Sequence, residues 1–188
     1  MKNLKSIALA LVVVLSTLSV TAQTKKVDTS KSSINWLAKK VTGQHNGTIN
    51  IKDGALVFKG KKLVGGTFTA DMTTVTATDL TGEYLGKLNG HLKSDDFFST
   101  AKFATSTLVF KTIGAKGKDV YTVTADLTIK GITNPVTFDI TVAENSATTK
   151  FMVDRTKYDI KYGSKSFFES IGDKAIYDEF ELTVNLTF

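Results

Sequence analysis

Apolar and polar residues alternate with period two along the C-terminal stretch, and this limits the fold more than any other feature of the chain. Ile176, Phe180, Leu182, Val184, Leu186 and Phe188 share one parity; Tyr177, Glu179, Glu181, Thr183, Asn185 and Thr187 share the other. Successive side chains of a strand point to opposite faces, so such a segment is a strand with one dry side and one wet side. Val136, Phe138, Ile140 and Val142 repeat the scheme, as do Tyr121, Val123, Ala125, Leu127 and Ile129. Further strands are predicted at 34–41, 48–51, 55–58, 66–76, 105–113 and 148–154. Asn46-Gly47, Asp53-Gly54, 114–118 and Glu144-Asn145 supply turn signals between them.

One segment breaks the alternation. Leu80, Tyr84, Leu85, Leu88 and Leu92 fall at helical spacing over 79–93, although Gly82, Gly86 and Gly90 each cost about 1 kcal/mol of helicity relative to alanine. Such a helix survives only when docked. The expected fold is therefore all-β: an antiparallel barrel of about eight to nine strands, with one short helix capping or lining the barrel end. Closure removes the edge strands that an exported β protein must otherwise protect.

The chain begins with Lys2 and Lys5, an apolar run over 7–20, and small residues up to Ala22. That order predicts a secretory signal peptide over 1–22 and a single domain over 23–188. Cysteine is absent, so neither a lipid anchor nor a disulfide supports the exported chain. Removing Lys2 and Lys5 lowers the formal charge from +6 to +4. The lysines are scattered and Arg155 is the single arginine, which argues against nucleic-acid binding. Weak attraction to anionic headgroups, and hence transient membrane contact, is compatible with such a surface; a homodimer is also open.

Catalytic constellations are missing. No cysteine nucleophile or Gly-x-Ser-x-Gly elbow occurs, and residues 54–62 miss the phosphate-loop spacing. His45 and His91 are far apart in sequence and read as structural groups, so neither a metal nor a cofactor is expected. Asp178 and Arg155 both fall on dry parities. A buried charge is costly unless paired, so Arg155 is expected to point inward with Asp178 as its first partner.

Several stretches resemble one known family. They are Ser33-Ile34-Asn35-Trp36, Gly65-Gly66-Thr67-Phe68 and, most distinctively, His91-Leu92-Lys93-Ser94-Asp95-Asp96-Phe97-Phe98. Residues 126–136 read as a strand, a turn made by Gly131 and Asn134-Pro135, and the next strand. The chain resembles the YceI-like family of exported, lipocalin-like barrels over essentially all of 23–188. It departs from the family pattern at Ala104, Ala125 and Lys157 to Asp159. The resemblance implies a soluble periplasmic protein, not an enzyme, that sequesters or ferries an amphiphilic lipid such as a polyisoprenoid or isoprenoid quinone.

The expected lining combines inward parities with that implication: Trp36, Phe68, Met72, Phe110, Leu127, Ile129, Phe138, Ile140, Phe151, Val153, Phe180 and Leu182. The doublets Phe97-Phe98 and Phe167-Phe168 are expected at the cavity mouth, and Arg155 is the candidate for a polar head. Three other readings remain at this point, one of them an enzyme that acts on a lipid held in the cavity through Asp178, Arg155, His45, His91 or a tyrosine such as Tyr158. An integral outer-membrane barrel would turn its apolar face outward, and a solid-cored interaction module would have no cavity.

Overall fold

A computed structural model describes residues 21–169 and 172–188. The proposed signal peptide lies outside the described residues except for Thr21 and Ala22.

Among the described residues nine strands occur in chain order: β1 (Ala22–Lys26), β2 (Ser33–Lys40), β3 (Gly43–Lys59), β4 (Lys62–Ala77), β5 (Thr105–Gly117), β6 (Val120–Ile129), β7 (Ile132–Val142), β8 (Ser146–Asp154) and β9 (Ile176–Thr187). One helix, α1 (Gly82–Lys93), joins β4 to β5. Neighbouring strands run antiparallel in the order β2-β9-β8-β7-β6-β5-β4-β3, and β3 also pairs with β2, which closes an eight-stranded barrel. The extra strand β1 pairs with Ala55–Lys59 of β3, along the edge that β2 occupies further up.

Parity decides which side is inside. Val123, Ala125, Leu127 and Ile129 are buried, while the residues alternating with them on β6 are partly exposed. The outer wall carries ion pairs, including Lys111–Asp126, Lys116–Asp139 and Lys150–Glu181. The apolar face is thus turned inward, the reverse of a lipid-facing barrel. No helix among the described residues is long and apolar enough to cross a membrane.

Four turn signals belong wholly or mostly to strand interiors instead, one of them 114–118, of which β5 takes all but Lys118. Asn46-Gly47 lies within β3, where Gly47 pairs with both Trp36 and Ala77. A Cβ on Gly47 would stand 1.9 Å from the Thr76 carbonyl oxygen and 2.5 Å from the Trp36 ring. Glycine is there because the indole and the neighbouring strand leave no room for a side chain. Gly47→Ala is expected to cost about 1–3 kcal/mol, as overpacked sites do, measured as a fall in the urea midpoint. Asp53-Gly54 marks a bulge in the β3–β4 ladder, so 48–51 and 55–58 are one long strand. Asn134-Pro135 sits inside β7, and the turn is Lys130-Gly131, whose φ values of 51° and 74° suit a mirror-image hairpin turn. Pro135 lies where β8 does not pair with β7, so its missing N–H breaks no β7–β8 bond.

The helix is docked, as its glycines require. Gly82, Gly86 and Gly90 have no neighbour within 4 Å of a built Cβ, whereas Leu85, Leu88 and Leu92 pack on the core. The Asn89 side chain accepts from the Ala77 N–H at 2.9 Å and donates to Thr76 Oγ1 at 2.9 Å, tying α1 to the end of β4.

Candidate ligand-binding cavity

Two hydrophobic clusters fill the barrel ends. One centres on Leu56, Val123, Ile140 and Leu186; the other, beneath α1, on Trp36, Val75, Leu92 and Ile160. Between them lies a cavity of about 100 Å³ whose wall draws on both. Among the described residues twenty-two line it and none of these is charged. Phe68, Phe110, Phe151, Phe180 and Leu182 face this space yet are only partly buried, because empty volume rather than protein lies against them. The barrel interior is therefore not filled by side chains.

Phenylalanines organise one wall. Ring centroids run from Phe68 to Phe110 at 5.6 Å, on to Phe138 at 6.0 Å, and on to Phe151 at 4.6 Å in a stacked pair. Glycines clear the way: a Cβ on Gly54 would meet Phe68 at 2.6 Å, and one on Gly66 would meet Phe110 at 2.7 Å. The Phe138–Phe151 stack has a second consequence. β7 and β8 pair only through Ile140–Val142 and Ala147–Thr149, and this stack lies two positions beyond the end of that ladder, on the same face as Ile140. Across the remaining gap the 3-10 turn Arg155–Tyr158 is pinned by Asn134 Nδ2 donating to the Lys157 carbonyl.

Of the residues expected from sequence, Phe68, Met72, Phe98, Phe110, Leu127, Ile129, Phe138, Ile140, Phe151, Phe180 and Leu182 stand around this cavity. Trp36 and Phe97 line two further spaces beneath α1. Val153 is buried in the helix-end cluster, away from the main cavity wall. Phe167 and Phe168 lie on the loop before β9, 48% and 51% exposed, and border none of these spaces. Sequence reasoning passed over Ser106 and Ala70. They are opposite each other on β5 and β4, and their small size leaves room at the cavity wall. Ser106 Oγ is buried without a partner among the described residues.

Arg155 points inward and is 2% exposed, but its main partners are carbonyls. Nη1 donates to Ile160 and Tyr162 at 2.8 Å each, Nε to Tyr177 at 3.2 Å, and Nη2 to Ile176 at 3.1 Å. The Asp178 carboxylate completes the set at 3.5 Å from Nη2. All five guanidinium donors are committed to protein, which leaves none for a ligand. Burial lowers the Arg155 pKa, and the charges of Asp178 and Asp154 partly offset that. Burial likewise pushes the Tyr158 hydroxyl up to about 12, so it does not exchange protons near neutral pH.

The segment that leads into α1 is tied to β3 through Asp79. His45 Nδ1 lies 2.8 Å from Asp79 Oδ2, and the Asn46 N–H donates to Oδ1. Burial raises the Asp79 pKa, but the hydrogen bonds from His45 and Asn46 outweigh it and hold the carboxyl below the usual carboxylate range. A depressed carboxyl stabilises the fold above its unfolded value, about pH 4, and loses that contribution as pH falls through its folded value. Acidification below about pH 4 is therefore expected to loosen α1 before the barrel. Hydrogen exchange of α1 amides against β6 amides measures this, and Asp79→Ala is expected to loosen α1 at neutral pH.

Known proteins share the pattern and the fold. The YceI-like domain pattern matches residues 26–188. A UPF0312 protein of Shewanella denitrificans is 33% identical over 91 residues, covering 48% of this chain and 46% of that one. A UPF0312 protein of Staphylococcus aureus is 48% identical over 52 residues, 28% of each chain. The chain thus spans less than half the length of these curated relatives in the matched stretches. Among solved structures, Burkholderia cenocepacia BcnA superposes with a TM-score of 0.66 at 22% identity, covering 86% of this chain and 99% of that one. A polyisoprenoid binding domain from Saccharophagus degradans gives 0.61 at 14% identity, covering 86% and 95%. At such identities these two show a shared fold. With the family pattern running from the last residue of β1 to the C-terminus and through every other element of the barrel, this chain belongs to the YceI-like family.

Proposed function

We propose that the protein binds an amphiphilic long-chain lipid, a polyisoprenoid or isoprenoid quinone, and sequesters or ferries it in the periplasm. The observation that carries this reading is the uncharged cavity between two packed clusters, with phenylalanines that face space instead of protein. Each methylene buried there contributes roughly 0.8 kcal/mol, so an apolar tail can offset the cost of association without a charged anchor. The residues assigned to the tail are Phe68, Met72, Phe98, Phe110, Leu127, Ile129, Phe138, Ile140, Phe151, Phe180 and Leu182. The related fold of the Saccharophagus polyisoprenoid binding domain supports the ligand class, and the N-terminal 22 residues support export. Binding is preferred to catalysis because the cavity wall offers Ser106 without a neighbouring base on that wall.

Mass spectrometry of an organic extract, from protein purified out of a bacterial periplasm without detergent, tests the reading. A stoichiometric isoprenoid or other long-chain species is expected. An empty extract from folded protein that also takes up neither added polyprenol nor quinone overturns it.

A further inference from the structure

The barrel wall is weakest between β7 and β8, and that seam lies against the cavity. Among the described residues β7 and β8 pair at three positions, against ten between β6 and β7 and nine between β8 and β9. The β4–β5 ladder is also short, but it spans the cavity-lining residues from Phe68 to Ala70. Between β7 and β8 the ladder stops at Ile140 and Thr149. Phe138 and Phe151, which line the cavity beyond it, meet there as stacked rings with centroids 4.6 Å apart.

The chain keeps this seam from zipping up. Thr149 Oγ1 donates to the Asp139 carbonyl at 2.7 Å, so the backbone groups of Asp139 face β8. Such groups alternate in direction along a strand, which turns Thr137 and Pro135 to the same edge, and Pro135 has no N–H to offer β8. At the far end the turn Arg155–Tyr158 closes the gap: Asn134 Nδ2 donates to the Lys157 carbonyl at 2.9 Å, and Lys130 Nζ to the Asp159 carbonyl at 3.2 Å. The slot between these limits runs over 135–139 and 150–154, about 17 Å of strand at the usual rise. On its outer side Met152 is 49% exposed and shares a surface groove with Leu37, Tyr177 and the charged Lys39, Asp178, Glu179 and Glu181.

We propose that this seam is a lateral portal: the Phe138–Phe151 stack parts, and the lipid tail passes between β7 and β8 into the cavity. This rests on the carrier reading and adds the route of entry to it. Parting strands along the β6–β7 or β8–β9 ladder breaks a run of backbone hydrogen bonds and leaves those groups unpaired in an apolar wall. Parting β7 from β8 at the slot separates two rings and no ladder pair, and an entering hydrocarbon chain restores the apolar contact that the rings lose. The competing route is the space beneath α1, where β3 and α1 bring His45 and His91 to one wall. Entry there first requires Leu85, Leu88 and Leu92 to leave the core they pack on.

Cross-linking tests the portal. The chain has no cysteine, so Thr137→Cys with Met152→Cys supplies a single pair of thiols. The register of the ladder, continued by the phenylalanine stack, sets these two exposed positions opposite each other across the slot. Bridged by a reducible bis-maleimide, the protein is expected to take up dansyl-labelled geranylgeraniol about tenfold more slowly or worse, and to release it to unlabelled geranylgeraniol more slowly by the same factor. Affinity at equilibrium is expected to stay unchanged, and reduction of the bridge to restore both rates. Thr124→Cys with Thr137→Cys is the control: these residues are in register across the intact β6–β7 ladder with hydroxyls 3.1 Å apart, and bridging them is expected to leave the rates as they were. Uptake by the seam-bridged protein at its unbridged rate overturns the portal and assigns entry to the end beneath α1. Equal slowing by the two bridges overturns it as well, because the bridges then act on the barrel as a whole. Either result leaves the carrier reading standing, whereas failure of the wild type to take up the probe overturns the two together.

Discussion

Replacing Arg155 with methionine is expected to destabilise the protein by about 3–5 kcal/mol, the range for breaking a buried charged network by removing one member. The guanidinium joins two pieces of chain: the loop, through the carbonyls of Ile160 and Tyr162, and β9, through its first two carbonyls and the Asp178 side chain. Methionine fills part of the volume but leaves these acceptors without donors, and unsatisfied buried acceptors cost about 1–3 kcal/mol each. At about 2–4 °C per kcal/mol for a domain of this size, the melting temperature is expected to fall on the order of 10 °C. Arg155→Lys is expected to recover little, since a single ammonium cannot reproduce the planar fork that reaches four carbonyls. Thermal unfolding of the two variants checks both statements. A loss under about 1 kcal/mol would show that the network behaves as a solvent-exposed pair.

The second large effect concerns binding. Ala70→Phe places a ring at the part of the cavity wall where Ala70 and Ser106 face each other. Displacing about four methylenes of tail costs roughly 3 kcal/mol, which corresponds to about a hundredfold in affinity. The barrel is expected to stay folded, because the new ring occupies space that is empty in the free protein. Val109→Phe is the control. Val109 is on the same β5 strand, is 38% exposed and lies off the cavity wall. Titration with a fluorescent polyprenol is expected to show uptake by the wild type and Val109→Phe and its loss in Ala70→Phe. Undiminished uptake by a folded Ala70→Phe variant would place the lipid elsewhere.

Much of the barrel was legible in the chain. Alternation in β6, β7 and β9 was unambiguous because one face of each strand meets the interior and the other meets water. The inward phenylalanines followed from the same parity. Local signals failed where a residue answers to a distant neighbour. Gly47 looked like a turn residue, yet its small size serves Trp36 and Thr76. Asn46 beside it is bonded by its side chain to Thr78, not to a turn of its own. Phe167-Phe168 and Phe97-Phe98 are alike as doublets, but only the latter has the 92–100 loop folded back by Phe98 N–H to Leu92 and Thr100 N–H to Lys93 hydrogen bonds.

Sequence by itself determined the class of fold, the inward apolar face and the presence of one docked helix, since each follows from periodicity over many residues. It placed Arg155 on a dry parity, with an inward position paired to Asp178 and a position at the barrel end both open. Only the tertiary structure decided that the main partners of Arg155 are carbonyls, that β3 is one long strand, and that small residues on β4 and β5 leave the barrel unfilled. It alone brought His45 and His91 to one wall. Periodicity reports which way a side chain points; what it meets there depends on the register between strands that lie far apart in the chain.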